Sequence, residues 1–76
     1  MKKEVHVVPN GSQWDVKISG NTYAQSTHNT QGDAINSGKP IAQMLQTELV
    51  IHRPDGRIRD KDSYGNDPFP PKDYKN

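Results

Sequence analysis

The stretch Val5-His6-Val7-Val8-Pro9-Asn10-Gly11-Ser12-Gln13-Trp14-Asp15-Val16-Lys17-Ile18 decides the fold class. Asn10-Gly11 is the strongest short signal for a hairpin turn. Ahead of it, Glu4 to Val8 reads as a strand because Val5, Val7 and Val8 are β-branched. Beyond it, Trp14, Val16 and Ile18 alternate with Asp15, Lys17 and Ser19. That period of two marks a strand with one buried face. Ser19-Gly20-Asn21 is a second turn, and Thr22 to Ser26 a short third strand carrying only Tyr23 and Ala24 as apolar groups. Three strands joined this way make an antiparallel meander.

Downstream the period changes. Thr30 followed by Asp33 resembles a capping box with Asp in place of Glu or Gln. Ala34, Ile35, Gly38, Ile41, Ala42 and Leu45 recur at helical spacing, which predicts a helix from Gln31 to Gln46. Gly38 and Pro40 interrupt it. An interior Pro removes the bond to the carbonyl four residues back, here Asn36. The expectation is a kink near Ser37-Gly38 or two helical pieces, unless Gly38 serves to let the helix approach the sheet. Glu48 to His52 is a fourth strand, Pro54-Asp55-Gly56 a turn, and Arg57-Ile58-Arg59 the start of a return strand. The order β-β-β-α-β-β implies an α+β, two-layer domain: an antiparallel sheet packed on one helix. Trp14, Val16, Ile18, Ile35, Ile41, Leu45, Leu49 and Ile51 are its expected core.

Composition sets the limits. The chain has 76 residues, 29% of them hydrophobic. Leu, Ile, Val and Phe together number 13, under the ~20% line where disorder becomes a serious alternative. The net charge of +1 argues the other way, since disorder usually needs high net charge as well. The low average is concentrated at the end. From Asp60 onward only Tyr64, Phe69 and Tyr74 are apolar, among three prolines. The expected organisation is one domain over 1–62 and a Pro-rich tail over 63–76, its first half packed on the domain and its last residues disordered. With no cysteine, disulfides, thiolate metal sites and Cys nucleophiles are excluded. Met1-Lys2-Lys3-Glu4 is followed by no apolar signal region, and no run approaches a membrane span, so a soluble cytoplasmic protein is expected.

Several segments also carry a resemblance. Glu48-Leu49-Val50-Ile51-His52 through Pro54-Asp55-Gly56-Arg57-Ile58, with Asp62-Ser63-Tyr64-Gly65-Asn66-Asp67-Pro68, resembles a family of small bacterial domains of unknown function whose members also occur in phage genomes. His6-Val7-Val8-Pro9, Trp14-x-Val16 and Thr30…Ala34-Ile35 look like the same family. The resemblance spans about residues 6–73 and departs at Gly38 and Pro40, where the family has stronger helix formers. It implies no established activity and no catalytic residues.

Candidate sites are few. Asp60-Lys61-Asp62-Ser63-Tyr64-Gly65 begins like an EF-hand loop, but position five is Tyr64 and position twelve is Pro71, both wrong for calcium. A turn whose Asp and Asn side chains bond their own backbone is the better reading. His6, His28 and His52 lack metal-ligand spacing, although His6 and His52 sit in strands that can be neighbours. Lys17, Arg53, Arg57 and Arg59 could make a local basic patch for nucleic acid. Asp15, Asp55, Asp60 and Asp62 interleave with them and would pair with or screen them. Tyr64 and Phe69 either anchor a partner or fold back over a small core, and Tyr23 is a further partner candidate. No nucleophile motif, carboxylate pair or phosphate loop is present. The sequence therefore points away from an enzyme and toward a binding or regulatory module with no cofactor and no metal. It would act through a protein partner or as a homodimer, with nucleic-acid binding through the basic strands as the alternative.

Overall fold

The computed structural model describes residues 3–64. Phe69, the prolines of the tail and the end of the candidate calcium loop lie outside them. The chain runs β1 (Val5–Asn10), β2 (Gln13–Ile18), β3 (Ser26–His28), α1 (Gln31–Leu45), β4 (Glu48–His52) and β5 (Ile58–Ser63). The five strands form one sheet in the order β3-β2-β1-β4-β5, with the helix on one face. The α+β, two-layer class and the order β-β-β-α-β-β are as the sequence implies.

The sheet is mixed rather than wholly antiparallel. β1 pairs β4 in parallel, Val5 beside Leu49 and Val7 beside Ile51. The helix causes this, because it carries the chain back along the sheet and delivers β4 in the direction of β1, the geometry of a crossover connection. The third strand also moves. It forms over Ser26–His28 instead of Thr22 to Ser26, pairing Trp14 with His28 and Val16 with Ser26. The Ser19-Gly20-Asn21 turn is longer than a tight hairpin and returns to the ladder where the Gln25 amide donates to the Val16 carbonyl at 2.6 Å.

Helix α1 begins where the capping signal placed it: the Asp33 amide donates to Thr30 Oγ1 at 3.1 Å. It runs unbroken through Pro40. Pro40 and Asn36 are both exposed, so water can take the carbonyl that Pro40 leaves unpaired. The helix buries Ala34, Gly38 and Ala42, a stripe of small residues at successive turns. A Cβ built on Gly38 would lie 3.2 Å from Leu49 Cδ1, 3.4 Å from Val5 Cγ1 and 3.6 Å from Val16 Cγ1. The helix therefore rests on the sheet at a point where a side chain scarcely fits. The missing Cβ serves close packing on the sheet and does not break the helix.

The core is made of Val5, Val7, Val16, Ala34, Ala42, Leu49 and Ile51, with Trp14, Ile18, Ile35, Ile41 and Tyr64 packed against its margin. Leu45, expected inside, is 41% exposed. The apolar stripe says which side of a helix faces inward, but burial along α1 stops at Ala42 and leaves the last turn open to water at Leu45. Because Val5, Val16 and Leu49 face Gly38, strand alternation turns His6, Lys17 and Val50 to the opposite, outer face. The helix packs on β1, β2, β3 and β4 and leaves β5 uncovered.

Candidate functional site

The outer face carries a histidine pair. β1 and β4 lie side by side, so His6 and His52 meet with Nδ1 of His6 and Nε2 of His52 3.1 Å apart. Their ring centroids are 5.3 Å apart and tilted by 33°. The far nitrogen of each ring is also held: His6 Nε2 lies 3.3 Å from Glu4 Oε1 and His52 Nδ1 2.9 Å from the Gly56 carbonyl. Gly56 has φ +91°, a conformation that favours glycine and turns this carbonyl back toward β4. His6 is held below the ordinary histidine range, first by burial and then by the neighbouring His52, with Glu4 opposing both. The pair borders a shallow concavity of about 370 Å3 that also takes in Lys17, Ser19 and Asn21. His28 is separate, its Nε2 2.8 Å from Ser26 Oγ. Among the described residues no group of three or more His, Asp or Glu could hold a metal ion.

The four basic candidates do not share one face. Lys17 is on β2, opposite His6. Arg53 and Arg57 belong to the β4–β5 turn, where the Arg53 amide donates to the Arg57 carbonyl at 2.6 Å. Arg57 Nε lies 3.8 Å from Asp55. Arg59 sits where the β4–β5 register shifts; it donates to Gln31 Oε1 at 2.8 Å and lies 3.7 Å from Asp60. Asp55 and Asp60 thus pair with basic side chains as expected. Asp15 does not: it is buried, accepting from Thr27 Oγ1 at 2.8 Å and from Asn10 Nδ2 at 3.1 Å. Its place in a simple alternation gave no sign of that burial.

Of the aromatic candidates, Tyr23 is 83% exposed. Tyr64 packs against the core and its amide donates to the Thr47 carbonyl at 3.1 Å. Burial, then the nearby Asp62, pushes its phenol up. Asp60-Lys61-Asp62-Ser63 is not a turn but the body of β5, with Ile51 opposite Asp60 and Glu48 opposite Ser63. Every residue of β5 is exposed. Since the Tyr64 amide points at β4, alternation turns the amides of Lys61 and Ser63 away from the sheet. Lys61 Nζ reaches Glu48 at 3.1 Å, an ion pair that raises the Lys61 pKa. None of the described helices is long and apolar enough to cross a membrane.

The sequence pattern of a family described as "Uncharacterized protein conserved in bacteria (DUF2188)" matches residues 5–64, which takes in every strand and the helix. A protein of Bacillus subtilis (strain 168), described as "Uncharacterized protein YdaT", is 32% identical over 66 residues, covering 87% of this chain and 44% of that protein. The chain spans less than half the length of this relative. No solved structure matches it.

Proposed function

The chain belongs to the DUF2188 family of uncharacterised bacterial proteins, and we propose that it is a non-enzymatic module that binds a protein partner by accepting a strand along β5. The observation that carries this is the state of the edge. β5 is six residues long, exposed throughout and left uncovered by the helix, with outward-turned amides at Lys61 and Ser63. Strand addition takes its affinity from such main-chain groups and its specificity from alternate side chains. Ile58, 57% exposed, adds an apolar contact at the start of the strand.

A partner of different sequence fits this edge better than a second copy. In a symmetric pair of β5 strands within one continuous sheet, the same face of both copies lies on the same side. Only residues of one face can then sit opposite one another. With the axis at Lys61, Lys61 meets its own copy and Asp60 meets Asp62; with the axis at Asp60, Asp60 meets its own copy. Like charges directly opposite are destabilising, and charged residues are a common device against edge-to-edge association. The basic candidates support nucleic-acid binding less well, because they are divided between the outer face and the turn, and Arg57 and Arg59 lie beside acids.

The test uses a photo-crosslinking residue at Asp60 in the bacterium that makes the protein, with a second at Gln43 on the exposed side of α1. The expected result is a defined protein adduct from position 60 and none from 43. Ser63→Pro should abolish it and Ser63→Ala should retain it, because the Ser63 amide serves the added strand and not β4. An adduct from position 43 alone would refute the reading, as would a β5 adduct indifferent to Ser63→Pro. Retention on DNA or RNA that falls steeply with salt would favour the basic residues instead.

A further inference from the structure

The contacts around the histidine pair favour one placement of hydrogen on each ring. A carbonyl oxygen only accepts, so His52 Nδ1, 2.9 Å from the Gly56 carbonyl, must be N–H. A carboxylate only accepts, so the 3.3 Å ion-pair contact of His6 Nε2 with Glu4 favours N–H on that nitrogen as well. A neutral imidazole has one N–H and one bare nitrogen. The two bare nitrogens are then His6 Nδ1 and His52 Nε2, which face each other at 3.1 Å. Two lone pairs at that distance repel unless a cation lies between them. A metal ion is poorly served: no third ligand completes the group among the described residues, and Lys17 and Lys61 share this face. A proton needs only the two nitrogens, and 3.1 Å is ordinary N–H donor–acceptor spacing.

We infer that His6 and His52 form a proton-sharing pair, in which His52 Nε2–H donates to the bare Nδ1 of His6, and that the pair accommodates one extra proton and is driven apart by a second. The result is a chain of contacts running from the Gly56 carbonyl through both rings to the Glu4 carboxylate, which pairs with His6 at 3.3 Å. It clasps the parallel β1–β4 pair at the centre of the sheet to the turn that leads into β5. The charged groups on the same face are Glu4 ahead of β1, Asp15 and Lys17 on β2, Glu48 on β4 and Lys61 on β5, with Asp15 engaged by Thr27 and Asn10. Glu48 is engaged by Lys61 at 3.1 Å, which leaves Glu4 as the acceptor at the end of the chain. A second proton would put hydrogens on both facing nitrogens and two positive charges 3.1 Å apart. Burial and then the charge of His52 hold the His6 pKa below its ordinary value. Acidification then opens the clasp and loosens the 53–57 turn. This inference stands on the ring geometry alone and is independent of what binds β5.

The experiment is a pH titration of the intact protein, labelled with 15N at histidine, read by nuclear magnetic resonance at all ring nitrogens. The pair should titrate in two steps separated by about one pH unit or more, since strongly coupled groups lose protons as a pair. Neutral His6 should carry its proton on Nε2 in every intermediate spectrum. His52→Gln, which offers an uncharged donor, should merge the two steps into one and move the His6 step upward. A single shared step in the wild type, a neutral His6 protonated on Nδ1, or an unmoved His6 in His52→Gln would each overturn the inference. So would one equivalent of zinc engaging both rings at neutral pH, which would make the cation a metal.

Discussion

Replacing Gly38 by alanine tests how the helix meets the sheet. Two effects oppose each other. Alanine in a helix interior is favoured over glycine by about 0.5–1 kcal/mol. The new methyl would sit 3.2 Å from Leu49 Cδ1 and 3.4 Å from Val5 Cγ1. Leu49 would have to shift by a few tenths of an ångström, and it is fully buried on the parallel central strands. Overfilling a packed core costs about 1–3 kcal/mol, so Gly38→Ala should destabilise by about 0–2 kcal/mol. Gly32→Ala supplies the control, because nothing lies within 4 Å of its Cβ position. It should stabilise by up to about 1 kcal/mol. Comparing the two variants removes most of the propensity effect and leaves packing, a difference of roughly 1–3 kcal/mol, or about 4–24 °C in Tm for a domain of this size. Urea denaturation followed by Trp14 fluorescence measures both. Leu49→Val, which withdraws the crowding Cδ1, should make Gly38→Ala less costly than in the wild type, a non-additivity of at least about 0.5 kcal/mol. Equal stabilisation by the two alanines would refute the close-approach account of Gly38.

Other substitutions and conditions probe separate features. Pro40 is exposed within α1, so Pro40→Ala should raise stability by up to about 3 kcal/mol without changing the fold, measured by the same denaturation. Gln46 caps the helix in the left-handed region at φ 52°; Gln46→Gly should relieve about 1 kcal/mol of that strain, visible as a higher thermal midpoint. Burial, and then His52, holds His6 below its ordinary value of 6.5, so the unfolded chain binds that proton more readily than the folded one. This contribution is complete above about pH 7 and is lost as pH falls through 6.5 toward the depressed value. Denaturation at stepped pH should show the loss, and His6→Gln should flatten it.

The first hairpin and the helix could be read from the residues because each has a period and a boundary signal, whereas the third strand, with little apolar pattern, lies later in the chain than its residues suggest. Asn10-Gly11 sets the first turn, and Thr30 caps the helix. Three things could not be read this way. The neighbour of β1 was hidden, because alternation fixes which face of a strand is buried but not which strand lies beside it. The contact of His6 with His52 depends on that pairing. Arg57-Ile58-Arg59 reads as the start of β5, but its extension was hidden because Asp60-Lys61-Asp62-Ser63 has water on both faces, which removes the apolar alternation that marks strands. Its charges, read as a turn, belong to an edge. Leu45 was over-read, since periodicity assigns a direction around a helix and says nothing of where the sheet beneath it ends. Family membership agrees with the resemblance carried by the strands and helix start.

The central claim, that β5 is the binding edge, is tested most directly by amide hydrogen exchange at Lys61 and Ser63, in the free protein and in complex with the partner captured from position 60. Both amides point away from β4, so they should exchange rapidly alone and become strongly protected in the complex, while Tyr64, bonded to Thr47, changes little. Protection that appears on α1 or around Lys17, with Lys61 and Ser63 still exchanging rapidly, would contradict the account.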